Sequence, residues 1–99
     1  MYIVRTLPEF DAWLKGLTDK IVQRRLIVRL RKAAHGNLGD VKSVGRGVSE
    51  MREHFGAGWR MYFIMRNGEL VVMLGGCNKS SQSRDVATAQ RRAERISWE

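Results

Sequence analysis

Arginine, histidine and tyrosine recur at alternate positions in the middle of this chain. Arg52 and His54 are two apart, and so are Arg60 and Tyr62. In an extended backbone, residues two apart share a face. Two guanidinium groups held close together repel unless an anion lies between them, and an RNA phosphate is such an anion. Arginine offers it a planar fork, a tyrosine ring can stack on a base, and a histidine can move a proton near neutral pH. A plainer reading stands beside this one. Arg52 and Arg60 can pair with Glu50 and solvate the face, and a lone surface histidine need have no chemical role.

A second group follows in the segment Gly75-Gly76-Cys77-Asn78-Lys79-Ser80. It looks like a phosphate-binding loop between a strand and a helix, but the spacing excludes a nucleotide P-loop. That motif needs glycine where Met73 and Asn78 stand. What survives is a helix N-terminus with Lys79, Ser80, Ser81 and Arg84 nearby, which suits a phosphate. Ordinary capping of that helix by the serines is the competing reading.

Other chemistries find no support. Cys77 is the lone cysteine, so no internal disulfide forms, and spacing gives it no histidine partner. Two histidines and one cysteine without clustering make no metal site, and no metal or cofactor is expected. Paired carboxylates of the glycosidase kind are missing from the face that carries Arg52 and Arg60.

These side chains need elements to position them. The chain has 99 residues, one domain by length, with 43% hydrophobic and 28% charged residues. Residues 2–4 read as a short strand. Pro8 suits a helix start, with Phe10, Trp13, Leu14 and Leu17 at helical spacing and Gly16 at its end. Thr18 or Asp19 can cap a second helix whose stripe is Val22, Leu26, Leu30 and Ala33, and which stops at Gly36. Its other side carries Lys20, Arg24, Arg25, Arg29, Arg31 and Lys32, read as a solvated face or a secondary backbone-binding one. Residues 36–47 read as a loop, with 41–44 extended at most. Residues 48–55, 59–66 and 69–77 alternate as strands, and Asn67-Gly68 marks a hairpin. The last helix has Val86, Ala89, Ala93 and Ile96 as its stripe. The expected fold is therefore α+β, an antiparallel sheet with helices packed on one face, in the order β-α-α-β-β-β-α. Met51, Phe55, Trp59, Met61, Phe63 and Met65 would face the helices. Arg52, His54, Arg60 and Tyr62 would share the open face. Trp13, Trp59 and the methionines read as core.

The charge points to partners. Lys and Arg number 18 against 10 Asp and Glu, a formal net of +8, and arginine outnumbers lysine among them. Such a balance attracts polyanions, RNA first among them. With no signal-like N-terminus and no apolar run beyond residues 70–74, the expectation is a soluble, cytoplasmic protein without a membrane partner.

Three segments carry a resemblance. Val48-Ser-Glu-Met-Arg52, Gly58-Trp-Arg60-Met-Tyr-Phe63 and Leu74-Gly-Gly-Cys-Asn-Lys79-Ser-Ser-Gln-Ser-Arg84-Asp85-Val86 resemble the RelE/ParE toxin superfamily, in its HigB-like, or Gp49-like, addiction module killer branch. The resemblance spans nearly the whole chain and is most specific over residues 48–89. It implies a toxin of a type II toxin–antitoxin pair, silenced by an antitoxin commonly of helix-turn-helix type. RelE-like members cut mRNA on the ribosome without a metal, whereas ParE-like members poison gyrase. A non-catalytic nucleic-acid-binding module is a third reading. For an endoribonuclease, Arg60 matches the arginine that stabilises the phosphorane, with Arg52, Lys79 and Arg84 as its basic companions. Tyr62, His54 and Arg46 would contact RNA, and the base would be Lys79, His54 or a ribosomal group. One departure stands out: the last residues, Glu94-Arg-Ile-Ser-Trp98-Glu, lack the tyrosine or histidine that some RelE-type enzymes use there.

Overall fold

The computed structural model describes residues 1–96; residues 97–99, on which the C-terminal departure partly rests, lie outside the described residues. The chain runs β1 (Ile3–Thr6), α1 (Pro8–Lys15), α2 (Lys20–Ala34), β2 (Val41–Gly45), β3 (Val48–Glu53), β4 (Trp59–Arg66), β5 (Leu70–Asn78), a short 3-10 turn (Lys79–Ser81) and α3 (Gln82–Glu94). Local chemistry explains most boundaries. Pro8 opens α1, and the Asp19 carboxylate caps α2 by accepting from the Ile21 and Val22 amides at 2.9 and 3.3 Å. Asn67 and Gly68 both take positive φ, +55° and +68°, as a two-residue hairpin turn requires.

The strands form one sheet in the order β1-β5-β4-β3-β2. It differs from the expected sheet in three ways. First, it is mixed: β2 to β5 pair antiparallel, but β1 pairs parallel to β5. Hairpin logic governs only strands joined by short turns. β1 is separated from the rest by two helices and takes the edge of β5 that β4 leaves free. Second, Val41–Gly45 is a full strand paired with β3, so the order is β-α-α-β-β-β-β-α. Only its backbone hydrogen bonds define it, because most of its side chains are exposed and give no alternation to read.

Third, helices lie on both faces. Phe10, Val22, Leu26 and Ala33 of α1 and α2 pack with Met51, Met61, Phe63, Val71 and Met73. On the other side Ala89 of α3, with Val86 and Ala93 at its margin, packs on Val48, Tyr62, Ile64, Val72, Leu74 and Cys77. An uninterrupted apolar run marks a strand buried on both faces, and residues 70–74 form one. The sorting of side chains into two faces holds, but the second face is largely covered rather than open.

Two adjacent glycines let the layers approach. Tyr62 and Phe63 flank an irregularity in the β4–β5 register, beyond which Gly75 pairs with Tyr62 and Gly76 with Met61. A Cβ on Gly76 would overlap the Trp13 ring, which is wedged between Phe10 and Trp59 at centroid distances of 5.7 and 6.4 Å. A Cβ on Gly75 would meet only the tip of Arg92, whose Nη1 donates to the Leu74 carbonyl at 2.9 Å. Gly76→Ala is therefore expected to destabilise by about 1–3 kcal/mol through overpacking against a ring held between two others. Gly75→Ala should cost about 1 kcal/mol, one displaced hydrogen bond. Urea titrations of both variants check the order, and equal losses would contradict this account of the two layers.

Candidate functional site

The candidate residues gather where β3 ends, β4 begins and β5 runs into α3. Arg52 lies directly opposite Arg60 across the β3–β4 ladder, and Arg60 opposite Cys77 across β4–β5. Alternation puts both arginines on the face that α3 covers. The first residue of α3, Gln82, reaches only as far as Glu50, to which its Nε2 donates at 3.0 Å. The corner beyond that contact belongs to the strand ends.

Arg60 is not a solvated side chain. It is 7% exposed, its Nη1 donates to the Trp59 carbonyl at 3.1 Å, and its Nε has no hydrogen-bond partner. The nearest carboxylate oxygen, Glu50 Oε1, is 3.8 Å from that Nε, within ion-pair range but beyond a hydrogen bond. Glu50 is 1% exposed. Like charges directly opposite in a sheet destabilise it, and this buried carboxylate offsets the Arg52–Arg60 pairing. Pairing of Arg60 with Glu50 is thus real, but it is buried rather than solvating.

Arg52 and His54 converge on a residue that the sequence did not single out. Asp40 accepts from Arg52 Nη2 through Oδ1 and meets His54 Nε2 through Oδ2, each at 2.8 Å. Hydrogen bonds from Arg52 and then His54 hold its carboxyl down at about 2. Arg52, in turn, is raised by the Asp40 bond, and its Nε is buried without a partner. Asp40 itself is placed by Arg29. This arginine, assigned from its charge to the solvated side of α2, is 8% exposed. Its Nη2 donates to the Leu38 and Asp40 carbonyls at 2.9 and 2.8 Å, and its Nη1 donates to the Arg52 carbonyl at 2.9 Å and to Glu53 at 2.6 Å. The signal was present in the spacing, since position 29 follows Leu26 by three and Val22 by seven and so lies on the buried stripe. Nothing local marks Asp40.

Lys79 and Arg84 are both exposed and line one shallow depression of about 390 Å³, together with Gln82 and three serines. The serines do not cap α3 as expected. Ser81 stands at the N-cap position without a side-chain hydrogen bond, and Asn78 caps the preceding turn by accepting from the Ser80 amide at 3.0 Å. Gly58 joins the two groups: a Cβ there would lie 3.5 Å from Lys79 Cβ and 3.9 Å from Arg60 Nη1. Its φ of +75° also favours glycine.

Two expected RNA contacts are placed elsewhere. Tyr62 is 1% exposed beneath α3, its hydroxyl 3.3 Å from Cys77 Sγ, so it offers no ring for stacking. Arg46 sits in the β2–β3 turn and pairs with Glu94 at the far end of α3 at 3.0 Å. A 13-residue helix separates it from Lys79, a span of about 20 Å. Cys77 is buried, which pushes its thiol up to about 11, against a lowering bond from Tyr62. It is not a thiolate nucleophile near neutral pH.

Fold and corner together define a small α+β protein with a cationic site at one end of a mixed sheet. The family model described as phage-derived protein, Gp49-like, matches residues 12–96. An uncharacterized protein of Haemophilus influenzae is 36% identical over 93 residues, 94% of each chain. This chain belongs to the Gp49-like family, within the RelE/toxin-like addiction module killer group. No solved structure matches it.

Two outcomes are expected of the Asp40 network. A carboxyl NMR titration should place the Asp40 midpoint near 2, and in Arg52→Ala it should move up toward the ordinary aspartate value of 3.8. Because the folded value is depressed, the stability from this carboxylate is present above its unfolded value and lost as pH falls through about 2. An unchanged midpoint in the variant would rule out Arg52 as the main cause. Arg29→Leu, which strands three carbonyls and Glu53, should destabilise by about 3–5 kcal/mol in thermal or urea unfolding.

Proposed function

We propose that this protein is the toxin of a type II toxin–antitoxin pair, of HigB-like type, and a metal-independent, ribosome-dependent mRNA endonuclease acting in the cytoplasm. One observation carries the reading: the side-by-side arginines Arg52 and Arg60, each with a buried Nε donor lacking a hydrogen-bond partner. A phosphate drawn to this pair has enough oxygens to accept from the accessible edges of both guanidinium groups. Membership of the addiction module killer group and the net charge of +8 support it.

In this mechanism the ribose 2′-oxygen attacks the adjacent phosphorus. The new bond closes a 2′,3′-cyclic phosphate as the bond to the 5′-oxygen breaks, and a 5′-hydroxyl leaves. Arg60, held in place by the Trp59 carbonyl and Glu50, stabilises the negative charge of the phosphorane. Arg52 lies beside it, and the exposed Lys79 and Arg84 hold the flanking backbone. Arginine does not act as the base. His54, fixed by Asp40, and Lys79 are the groups that could take the 2′-hydroxyl proton or protonate the 5′-oxygen, unless a ribosomal group does so. The cognate antitoxin, of helix-turn-helix type, and the ribosome with its mRNA are the partners. No described helix is long and apolar enough to cross a membrane.

Burial decides which variants are informative. Arg60→Ala leaves Glu50 in the core without its cation and is expected to cost about 3–5 kcal/mol of stability. Arg60→Lys keeps the charge but not the fork, and Lys79→Ala alters an exposed position. Primer extension on mRNA in purified translating ribosomes should show stops in the A-site codon with the parent protein. Arg60→Lys should reduce them by roughly 100-fold, the size seen when one transition-state donor is lost. Lys79→Ala should reduce them by roughly 10-fold without loss of fold. Intact mRNA with a folded parent protein would sink the nuclease and send the question to a gyrase supercoiling assay.

A further inference from the structure

His54 stands just past the end of β3 with its side chain 66% exposed. An imidazole so placed would turn freely among its rotamers, yet this one is tied down. Its Nε2 is 2.8 Å from Asp40 Oδ2, and its Nδ1 makes no hydrogen bond among the described residues. Asp40 is itself firmly mounted. Its carbonyl accepts from Arg29 Nη2 at 2.8 Å and from the Arg52 amide at 3.0 Å, and its Oδ1 accepts from Arg52 Nη2 at 2.8 Å. Exposed ion pairs give a fold little stability, so this mount serves orientation more than cohesion. The protonation states then follow. Bonds from Arg52 and then His54 hold the Asp40 carboxyl down at about 2, so near neutral pH it is ionised and can only accept. His54 Nε2 must donate to it. In the neutral ring this puts the one proton on Nε2 and leaves a lone pair, without a partner, on Nδ1.

We propose that Asp40 is a positioning residue that selects this tautomer of His54, and that His54 Nδ1 is the atom that takes the 2′-hydroxyl proton. The proposal rests on the nuclease reading above. In the step, the proton passes to Nδ1 while the 2′-oxygen bonds to phosphorus. The bond from phosphorus to the 5′-oxygen breaks, its electron pair goes to that oxygen, and water supplies the proton that completes the 5′-hydroxyl. The imidazolium donates to the Asp40 carboxylate, which balances its charge, and then returns its extra proton to water. Arg52 lies opposite Arg60, and one carboxylate spans Arg52 and His54. Asp40 thereby sets the base beside the cations that would hold the phosphate. Lys79 is the competing base. It is exposed on the turn before α3, and no hydrogen bond or ion pair fixes its side chain among the described residues.

The test has two arms, both on the full chain. Long-range 1H–15N spectra of the free protein, at about pH 8 and so above the ordinary imidazole range, should show the His54 proton on Nε2. In Asp40→Asn, Arg52 can only donate and so takes the amide oxygen. The amide nitrogen then faces Nε2, and the proton should move to Nδ1. His35, whose Nδ1 meets the Arg31 carbonyl at 2.8 Å, is the internal reference and should keep its proton on Nδ1 throughout. The second arm measures mRNA cleavage in translating ribosomes. His54→Ala should lower kcat roughly 100-fold, the size of a lost general base. Asp40→Asn should match it, and the double variant should be no slower than either single one. Both positions are exposed, so the spectra of the variants should otherwise match the parent. Losses that multiply in the double variant, an unmoved proton in Asp40→Asn, or parent-like cleavage by His54→Ala would each overturn the proposal and leave the nuclease reading standing. Intact mRNA with the parent protein would overturn both.

Discussion

Arg29 is the joint on which the working end of this molecule depends. It is an arginine buried in the stripe of α2, where the helix needs an apolar residue, and it is tolerated because its fork is satisfied. Its three nitrogens donate to the carbonyls of Leu38, Asp40 and Arg52 and to the Glu53 carboxylate. One side chain thereby ties a helix to the entry of β2 and the exit of β3. The approach is so close that a Cβ at Gly39 would sit 2.8 Å from Arg29 Nη2. Gly39 also has a φ of +69°, so sterics and backbone conformation ask for the same residue. Because the Asp40 carbonyl is fixed this way, its carboxylate is delivered to Arg52 and His54.

The other boundary of the corner is set by burial on the second face. β4 and β5 carry apolar residues at successive positions, so neither face of the sheet centre can be left wet. α3 covers that centre and its first turn stops level with Glu50, held by Gln82. The corner is what remains once α3 has covered what must be covered. This explains why Tyr62 and Arg60, two apart on one strand, share a face and yet differ in setting. Tyr62 lies under the helix against Cys77, and Arg60 lies at its end against Glu50.

How much of this was legible in the sequence follows from the range of each interaction. The helices, the Asn67-Gly68 turn and the sorting of side chains into two faces depend on neighbours a few residues apart, and these are legible in the sequence. β1 beside β5 and Asp40 beside Arg52 depend on chain segments that meet only after folding, and no spacing announces them. Arg29 and the second helical layer are different cases. Position 29 lies on the apolar stripe and residues 70–74 are apolar without a break, so both signals were there. The residue's charge masks the first, and the charged residues at alternate positions of β3 and β4 mask the second. At the site, the bringing together of Arg52 and Arg60 was legible because it needs only alternation and a hairpin. The burial of Arg60 was not, because Glu50 and α3 decide it.

That burial separates the roles of the two arginines. Arg60 faces Glu50 at 3.8 Å in surroundings closed to water. At an effective dielectric near 20 their attraction is about 4 kcal/mol before desolvation is counted. Arg52 pairs with Asp40 at an exposed edge, where water and salt screen the pair. Under the proposed function, an incoming phosphate would win Arg52 from Asp40 at smaller cost than it would draw Arg60 from Glu50. Arg60 is already in place, held by the Trp59 carbonyl and Glu50, with its Nε closed to solvent. Under the proposed function, Arg52 would be the exchangeable member of the pair, trading Asp40 for the phosphate. Under the same proposal, freeing Asp40 from Arg52 would leave its carboxylate bonded to His54 alone, so binding at the arginines would be felt by the imidazole at the corner.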